Sequence, residues 1–130
     1  MDKTAPRSIL IVDDQPTNLR LATRMLAGSP WRVTVAASGQ EALELTETST
    51  YDIVLLDLSM PVISGIDVAK KLRSQAKQPP PYLIACTAYG SYLGESSTAG
   101  LFDMTLAKPF LRAELIQTLS EVESILQARE

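Results

Sequence analysis

Short runs of apolar residues recur along the chain, and polar residues, glycine or proline bound each of them. Continuous apolar runs of this length are typical of parallel strands that are buried on both faces of a sheet. The second run alternates between apolar and polar residues, as a half-buried strand does. The pattern predicts strands at residues 8–12, 32–36, 52–57, 82–86 and 104–107.

Segments with apolar residues at helical spacing lie between these runs. Pro16 suits the first turn of a helix, and Gly28 indicates where that helix ends. Ser38 and Ser64 are N-cap candidates, and Ser38 forms a capping-box pattern with Glu41. Helices are predicted at residues 16–26, 38–48 and 64–74 and from residue 111 onward, with a short, weak helix within 89–100.

The regular alternation of strand and helix predicts a parallel sheet with helices on both faces, because parallel strands need crossover connections. At 130 residues the chain is expected to form one domain, residues 1–130, with its core at about 7–128. Ile66, Ala69 and Leu72 are expected to face this core from the third helix. Cys86, inside an apolar strand, is expected to be a small buried residue.

Composition narrows the functional classes. The net charge is −3, so an electrostatic basis for nucleic-acid binding is absent and no such partner is expected. Every apolar run is too short to span a bilayer, and we expect no membrane role. A single cysteine suits a reducing, cytoplasmic location. Without histidine there is no Ser-His or Cys-His nucleophile, so the chemistry must depend on carboxylates.

Polar residues stand where the predicted strands end. Asp13 and Asp14 follow the first strand, Asp57 ends the third, and Thr87 and Lys108 follow the fourth and fifth. If the strand order is 2-1-3-4-5, the carboxylates meet where the order reverses, which is where ligands bind in such sheets. Clustered carboxylates stay ionised beside a cation, and hard oxygen ligands suit Mg²⁺. Asp57 could then attack a phosphoryl group held by Lys108 and Thr87.

Together, four segments resemble the response-regulator receiver family of two-component signalling: Val12-Asp-Asp-Gln-Pro-Thr-Asn18, Leu56-Asp-Leu-Ser-Met-Pro61 with Gly65, Thr87-Ala88, and Lys108-Pro109-Phe110. The resemblance covers nearly the whole chain. It implies a flavodoxin-like (βα)₅ fold, an α/β architecture whose five-stranded parallel sheet has the order 2-1-3-4-5. It also implies that the Lys108-Pro109 bond is cis.

The resemblance further implies a role for each site residue. Asp57 would be the phosphoacceptor and Lys108 would pair with the phosphate. Asp14 and Asp57 would ligate Mg²⁺ directly together with the Ser59 backbone carbonyl, and Asp13 would assist through water. The chain would then be a signalling switch that catalyses its own phosphorylation and dephosphorylation, and not an enzyme in the usual sense.

In this family the phosphoryl group comes from a phosphohistidine, which this chain cannot supply because it has no histidine. The expected donor partner is a histidine kinase or a histidine phosphotransfer protein, and the downstream protein is unknown. The motifs are similar both to free-standing receivers and to those attached to hybrid histidine kinases. The pattern leaves the two arrangements open.

One position departs from the family pattern. Thr105 stands where receivers often carry the aromatic residue that turns inward on phosphorylation, and Tyr89 or Tyr92 is a hypothetical substitute. A bulky Tyr89 is also expected to slow hydrolysis of the aspartyl phosphate. Two other functions stay open: a Mg²⁺-dependent phosphatase or phosphotransferase that forms an aspartyl phosphate, and an interaction module of the same fold that no longer uses phosphate.

Overall fold

The computed structural model describes residues 7–75, 80–87 and 100–129. All five predicted strands are present, and their ends agree with the predicted ends to within one residue. They are β1 (Ser8–Val12), β2 (Arg32–Ala36), β3 (Ile53–Asp57), β4 (Tyr82–Thr87) and β5 (Met104–Ala107). The helices are α1 (Pro16–Met25), α2 (Gly39–Thr48), α3 (Gly65–Ser74) and α4 (Arg112–Arg129). The short helix predicted within 89–100 falls almost wholly outside the described residues.

The helix ends follow the predicted signals, with one difference. Gly28 adopts a φ of +83°, which only glycine adopts readily, just after α1 ends. Ser64 and Asp67 form a reciprocal capping box at the start of α3. At α2 the predicted box is only half formed: Ser38 accepts a hydrogen bond from the Glu41 backbone N–H, but the Glu41 carboxylate accepts one from Ala37 N instead.

The five strands form one parallel sheet in the order β2-β1-β3-β4-β5, which confirms the predicted fold. β1 and β3 are hydrogen-bonded neighbours, with Val12 opposite Leu56 in the last paired position. The chain moves from β1 toward one edge of the sheet to form β2, and from β3 toward the other edge to form β4 and β5. The direction of strand addition therefore reverses between β1 and β3. Residues that follow β1 and residues that end β3 therefore meet at the same edge of the sheet.

Successive residues of the central strands pack into two separate core layers. Ile9 and Ile11 pack with residues of α1 and α4, whereas Leu10 and Val12 pack with residues of α2 and α3. The two-sided burial explains why β1, β3 and β4 are apolar without strict alternation. Helices therefore cover both faces of the sheet, and polar residues lie at its carboxyl edge.

Two expectations about buried residues have different outcomes. Cys86 is buried at 4% exposure, as predicted. On α3, Ala69 and Leu72 are buried, but Ile66 is only half-buried and Val68 takes its place in the core. The helix begins at Gly65, so the face at spacings of three, four and seven residues is 65, 68, 69 and 72, and Ile66 lies on its flank.

Candidate functional site

The structure brings the polar strand-end residues to one edge of the sheet. Asp13 and Asp14 directly follow β1, and Asp57 is the last residue of β3. One carboxylate oxygen from each of these three residues lies within 4.8 Å of the others. Asp13 and Asp57 are each only 6% exposed, and Asp14 is half-buried. Three acidic side chains from two segments of the chain therefore share one small region.

Lys108 places its positive charge between two of these carboxylates. Its Nζ lies 3.1 Å from Asp13 Oδ2 and 3.5 Å from Asp57 Oδ1. The backbone of Lys108 is fixed by a 3.0 Å hydrogen bond from its N–H to the Thr87 carbonyl oxygen. The Lys108-Pro109 bond is cis, as the resemblance implied. Four residues that the sequence singled out are thus in one cluster: Asp13, Asp14, Asp57 and Lys108.

Thr87 and Ser59, the two other site candidates, lie beside this cluster. Thr87 is the last residue of β4, which pairs with β3, and it is 5% exposed. Ser59 is exposed two residues beyond Asp57, and its backbone N–H donates a 3.2 Å hydrogen bond to Asp57 Oδ1. Tyr89 and Tyr92 lie outside the described residues, and Thr105 is exposed on β5.

Two residues to which sequence reasoning gave no role hold Asp13 in place. The Gln15 N–H donates to Asp13 Oδ1 at 2.9 Å, and Asn18 Nδ2 donates to Asp13 Oδ2 at 3.1 Å. Asn18 belongs to the first turn of α1, so the helix that follows β1 orients the carboxylate that comes directly after this strand. A polar residue five positions after an acidic strand end is the signal that could have indicated this contact.

Gly65 is needed for the close approach of α3 to the site. A Cβ atom at this position would overlap the Asp57 carbonyl oxygen and lie 2.9 Å from Leu58 Cα. The Gly65 N–H donates a hydrogen bond of 3.3 Å to the Leu58 carbonyl. The first residue of α3 is therefore in direct contact with the backbone that carries Asp57, and only glycine fits there.

The electrostatics of the cluster favour a bound cation. Burial of the Asp57 carboxylate raises its pKa above the ordinary value of 3.8. The positive charge of Lys108 lowers that pKa in part, and the negative charge of Asp13 raises it further. Burial alone would lower the pKa of Lys108, but the hydrogen bond to Asp13 and the nearby carboxylates outweigh it and raise that pKa. A second positive charge beside Asp57 would offset the cost of its ionised form.

The donor set suits Mg²⁺ in particular. The three carboxylates supply hard oxygen ligands, and together they carry more negative charge than Lys108 balances. Cys86, the nearby soft ligand, is unsuited to metal binding, since burial raises the pKa of its thiol to about 12. The residues present therefore fit a magnesium ion bound mainly through carboxylate oxygen.

A doubly wound parallel sheet with an acidic cluster at its switch point defines the structural class, and comparison with known proteins defines the family. The family model of the response regulator receiver domain matches residues 9–120. The chain belongs to this family and is a receiver domain of two-component signalling. It is a signalling switch and not a classical enzyme.

Individual relatives agree with this placement. The chain is 37% identical over 110 residues to the transcriptional regulatory protein SrrA of Staphylococcus aureus, covering 83% of this chain and 44% of SrrA. The structure of the response regulator TrrA from Thermotoga maritima in complex with Mg²⁺-BeF is similar, with a TM-score of 0.79, 33% identity, and coverage of 89% of this chain and 98% of that one.

The receiver domain of the sensor histidine kinase PA1611 from Pseudomonas aeruginosa PAO1 is also similar, with a TM-score of 0.80, 34% identity, and coverage of 92% of this chain and 99% of that one. Its structure has a magnesium ion coordinated in the active-site cleft. The present chain spans about half the length of the curated relatives it matches. Among the described residues, no helix combines the length and the apolar character needed to cross a bilayer.

Proposed function

We propose that this chain accepts a phosphoryl group on Asp57, with Mg²⁺ bound by Asp13, Asp14, Asp57 and the Ser59 carbonyl oxygen. One observation carries the proposal: three carboxylates and the Lys108 ammonium, drawn from three separate segments, lie together at the switch point of the sheet. A family match to receiver domains supports it, because it covers every one of these residues.

The proposed reaction is a displacement at phosphorus. A carboxylate oxygen of Asp57 forms a bond to phosphorus while the bond from phosphorus to the donor breaks, and the donor leaves with the bonding electron pair. When bound, Mg²⁺ supplies positive charge that offsets the carboxylates and the phosphoryl oxygens. Lys108 balances a further negative charge, and the Thr87 hydroxyl donates a hydrogen bond to a phosphoryl oxygen. The same groups serve both self-catalysed phosphorylation and dephosphorylation.

The proposed donor is a phosphohistidine on a histidine kinase or a histidine phosphotransfer protein, since this chain contains no histidine. One similar receiver domain belongs to a sensor histidine kinase, and one relative is a transcriptional regulatory protein. We propose that phosphorylation changes how this domain contacts a downstream protein, in the cytoplasm, without direct contact to nucleic acid or membrane. The added phosphoryl charge draws Lys108 and Thr87 toward Asp57.

The proposed role of Tyr89 concerns the lifetime of the phosphorylated state. If this residue shields the aspartyl phosphate from water, Tyr89→Ala shortens that lifetime. Decay of phosphorylated protein after removal of the donor, followed by intact mass, measures it. Equal lifetimes in the parent and in Tyr89→Ala would refute the role.

Intact-mass spectrometry after incubation with acetyl phosphate and Mg²⁺ tests the proposal. The parent is expected to gain one phosphoryl group, and Asp57→Asn is expected to gain none. Asp52→Asn is the matched control, because Asp52 stands at the opposite end of β3 and should leave labelling intact. Labelling that persists in Asp57→Asn would contradict the proposal, and release of many equivalents of phosphate would favour the phosphatase or phosphotransferase instead.

A further inference from the structure

A cavity of about 320 Å³ opens between α1 and the turn that joins β5 to α4. Its floor is the face of the sheet that α1 and α4 cover, where Ile11, Leu55 and Cys86 line it. Leu21 and Met25 of α1 form a side wall, and Leu21 is 47% exposed at the mouth. The volume is that of a site for a small organic molecule, and the lining is mainly apolar.

One end of this cavity is the proposed phosphoryl site itself. Asp57 and Lys108 line it there, together with Asp13 and Asn18. These polar groups are engaged with one another, because Lys108 pairs with both carboxylates and Asn18 donates to Asp13. A molecule that reaches Asp57 from this side therefore meets charge at its head and apolar side chains along the rest of its length.

We infer that this cavity receives the acyl chain of an acyl phosphate. The protein is then phosphorylated faster by donors with a longer apolar acyl group. The inference rests on the proposed function and deepens it by naming the class of small donor. The negative phosphoryl head matches Lys108 and a cation held by the carboxylates, and the apolar tail matches Leu21, Met25 and Ile11. Burial of each methylene group away from water stabilises the bound donor.

The transfer step balances without a further reactant. An oxygen of Asp57 forms a bond to phosphorus, and the bond between phosphorus and the bridging oxygen of the acyl phosphate breaks. The leaving group departs as a carboxylate with the bonding electron pair, so no proton transfer is needed. Straight-chain carboxylic acids differ little in acidity, so differences in rate along a series of such donors report binding of the acyl chain rather than leaving-group chemistry.

The experiment compares acetyl, butanoyl and hexanoyl phosphate as donors at saturating Mg²⁺, with initial rates of labelling followed by intact mass. For the parent, the rate constant at low donor concentration is expected to rise along the series, by about tenfold or more between acetyl and hexanoyl phosphate. Asp57→Asn should be labelled by none of them.

Variants locate the preference in the cavity. Ala22→Leu adds a side chain at a buried cavity-lining position and is expected to lower the ratio of the hexanoyl to the acetyl rate toward one. Thr23→Leu is the matched control, because it adds a leucine to the exposed surface of the same helix and should keep the ratio. Should Ala22→Leu fail to fold, as judged by thermal unfolding, Leu21→Gln at the mouth is expected to lower the ratio as well.

The outcomes separate this inference from the proposed function. Equal labelling by all three donors would overturn the acyl site and leave Asp57 as phosphoacceptor. A chain-length preference that survives in both Ala22→Leu and Leu21→Gln would also overturn it, since the preference would then arise elsewhere. Labelling by none of the donors would overturn the proposed function itself.

Discussion

At the scale of single residues, the two buried carboxylates of the site differ in how firmly they are held. Both oxygens of Asp13 accept hydrogen bonds, from Gln15 N, Asn18 and Lys108. The contacts of Asp57 with Ser59 N and Lys108 converge on one oxygen, Oδ1. This difference fits the proposed roles, in which Asp13 helps to hold a cation and Asp57 reacts.

Asn18 is expected to act as a positioning residue for Asp13. Its removal in Asn18→Ala frees Asp13 Oδ2 from a 3.1 Å hydrogen bond, and the Mg²⁺ dissociation constant should rise by about tenfold. Isothermal titration calorimetry with Mg²⁺ measures it. The exposed neighbour Thr17 provides the control, since Thr17→Ala should bind Mg²⁺ like the parent. Unchanged affinity in Asn18→Ala would show that the other contacts suffice to orient Asp13.

Val62 stores backbone strain in the loop between β3 and α3. Its φ is +68°, in the left-handed region that β-branched residues disfavour, and its side chain is 99% exposed, so packing gives no compensation. Val62→Asn is expected to stabilise the protein by about 0.5–1 kcal/mol, because asparagine tolerates this conformation. Urea unfolding measures the change. Val62→Thr keeps the β-branch and should give no gain, and an equal gain would argue against relief of strain.

At the scale of secondary-structure elements, the contact between α3 and the end of β3 couples folding to the site. Gly65→Ala would force its Cβ against the Asp57 backbone, where no flexible side chain can move aside. We expect a loss of about 2 kcal/mol or more in stability and slower phosphorylation of Asp57, because the strand end must shift. Denaturant unfolding and the rate of labelling by acetyl phosphate give the two readouts.

Ser64→Ala serves as the control for that prediction. It removes the N-cap hydrogen bond of the same helix without adding an atom near Asp57, so it should cost about 1 kcal/mol and leave the labelling rate close to that of the parent. If both variants lost stability and labelling to the same extent, the effect would come from α3 as a whole and not from the overlap at Gly65.

The strands could be predicted because each buried run is apolar and ends at a residue that cannot be buried cheaply, such as Asp13 or Asp57. Their order was implied by the family resemblance and not by this pattern. Contacts that depend on the direction of a side chain could not be predicted from the sequence. The Glu41 carboxylate reaches Ala37 rather than Ser38, and Asn18 turns back to Asp13, although spacing alone allows other partners. The cavity beside Asp57 depends on the separation of α1 from the turn that joins β5 to α4, which no local sequence pattern records.

At the scale of the whole molecule, charged groups stabilise the fold at the amino end of the sheet and destabilise it at the carboxyl end. At the amino end, Arg7 forms ion pairs with Asp52 and Glu123, and the Asp52 carboxylate accepts a 2.8 Å hydrogen bond from Ser8 N. These contacts join β1, α4 and the start of β3. At the carboxyl end, the three clustered carboxylates repel one another, and Lys108 offsets only part of that repulsion.

This imbalance predicts that Asp57→Asn stabilises the protein when divalent ions are removed. The pKa of Asp57 is raised in the folded state, so between its ordinary value of 3.8 and the raised value the folded form binds more protons than the unfolded chain. Stability falls as the pH rises through that window, and the loss stays in full at higher pH. Asparagine removes that charge and can still accept the Ser59 N–H bond. We expect a gain of about 1 kcal/mol at neutral pH in urea unfolding with EDTA.

Saturating Mg²⁺ should make the parent more stable than Asp57→Asn. An ion that binds only the folded state stabilises the parent in proportion to the logarithm of the ion concentration, and it stabilises the variant less because one of its ligands is lost. Asp52→Asn, at the other end of β3, is expected to be destabilised under both conditions, since it loses the contacts to Ser8 and Arg7. A parent that is more stable than Asp57→Asn even in EDTA would show that Lys108 already balances the cluster, and the case for an obligatory cation would fail.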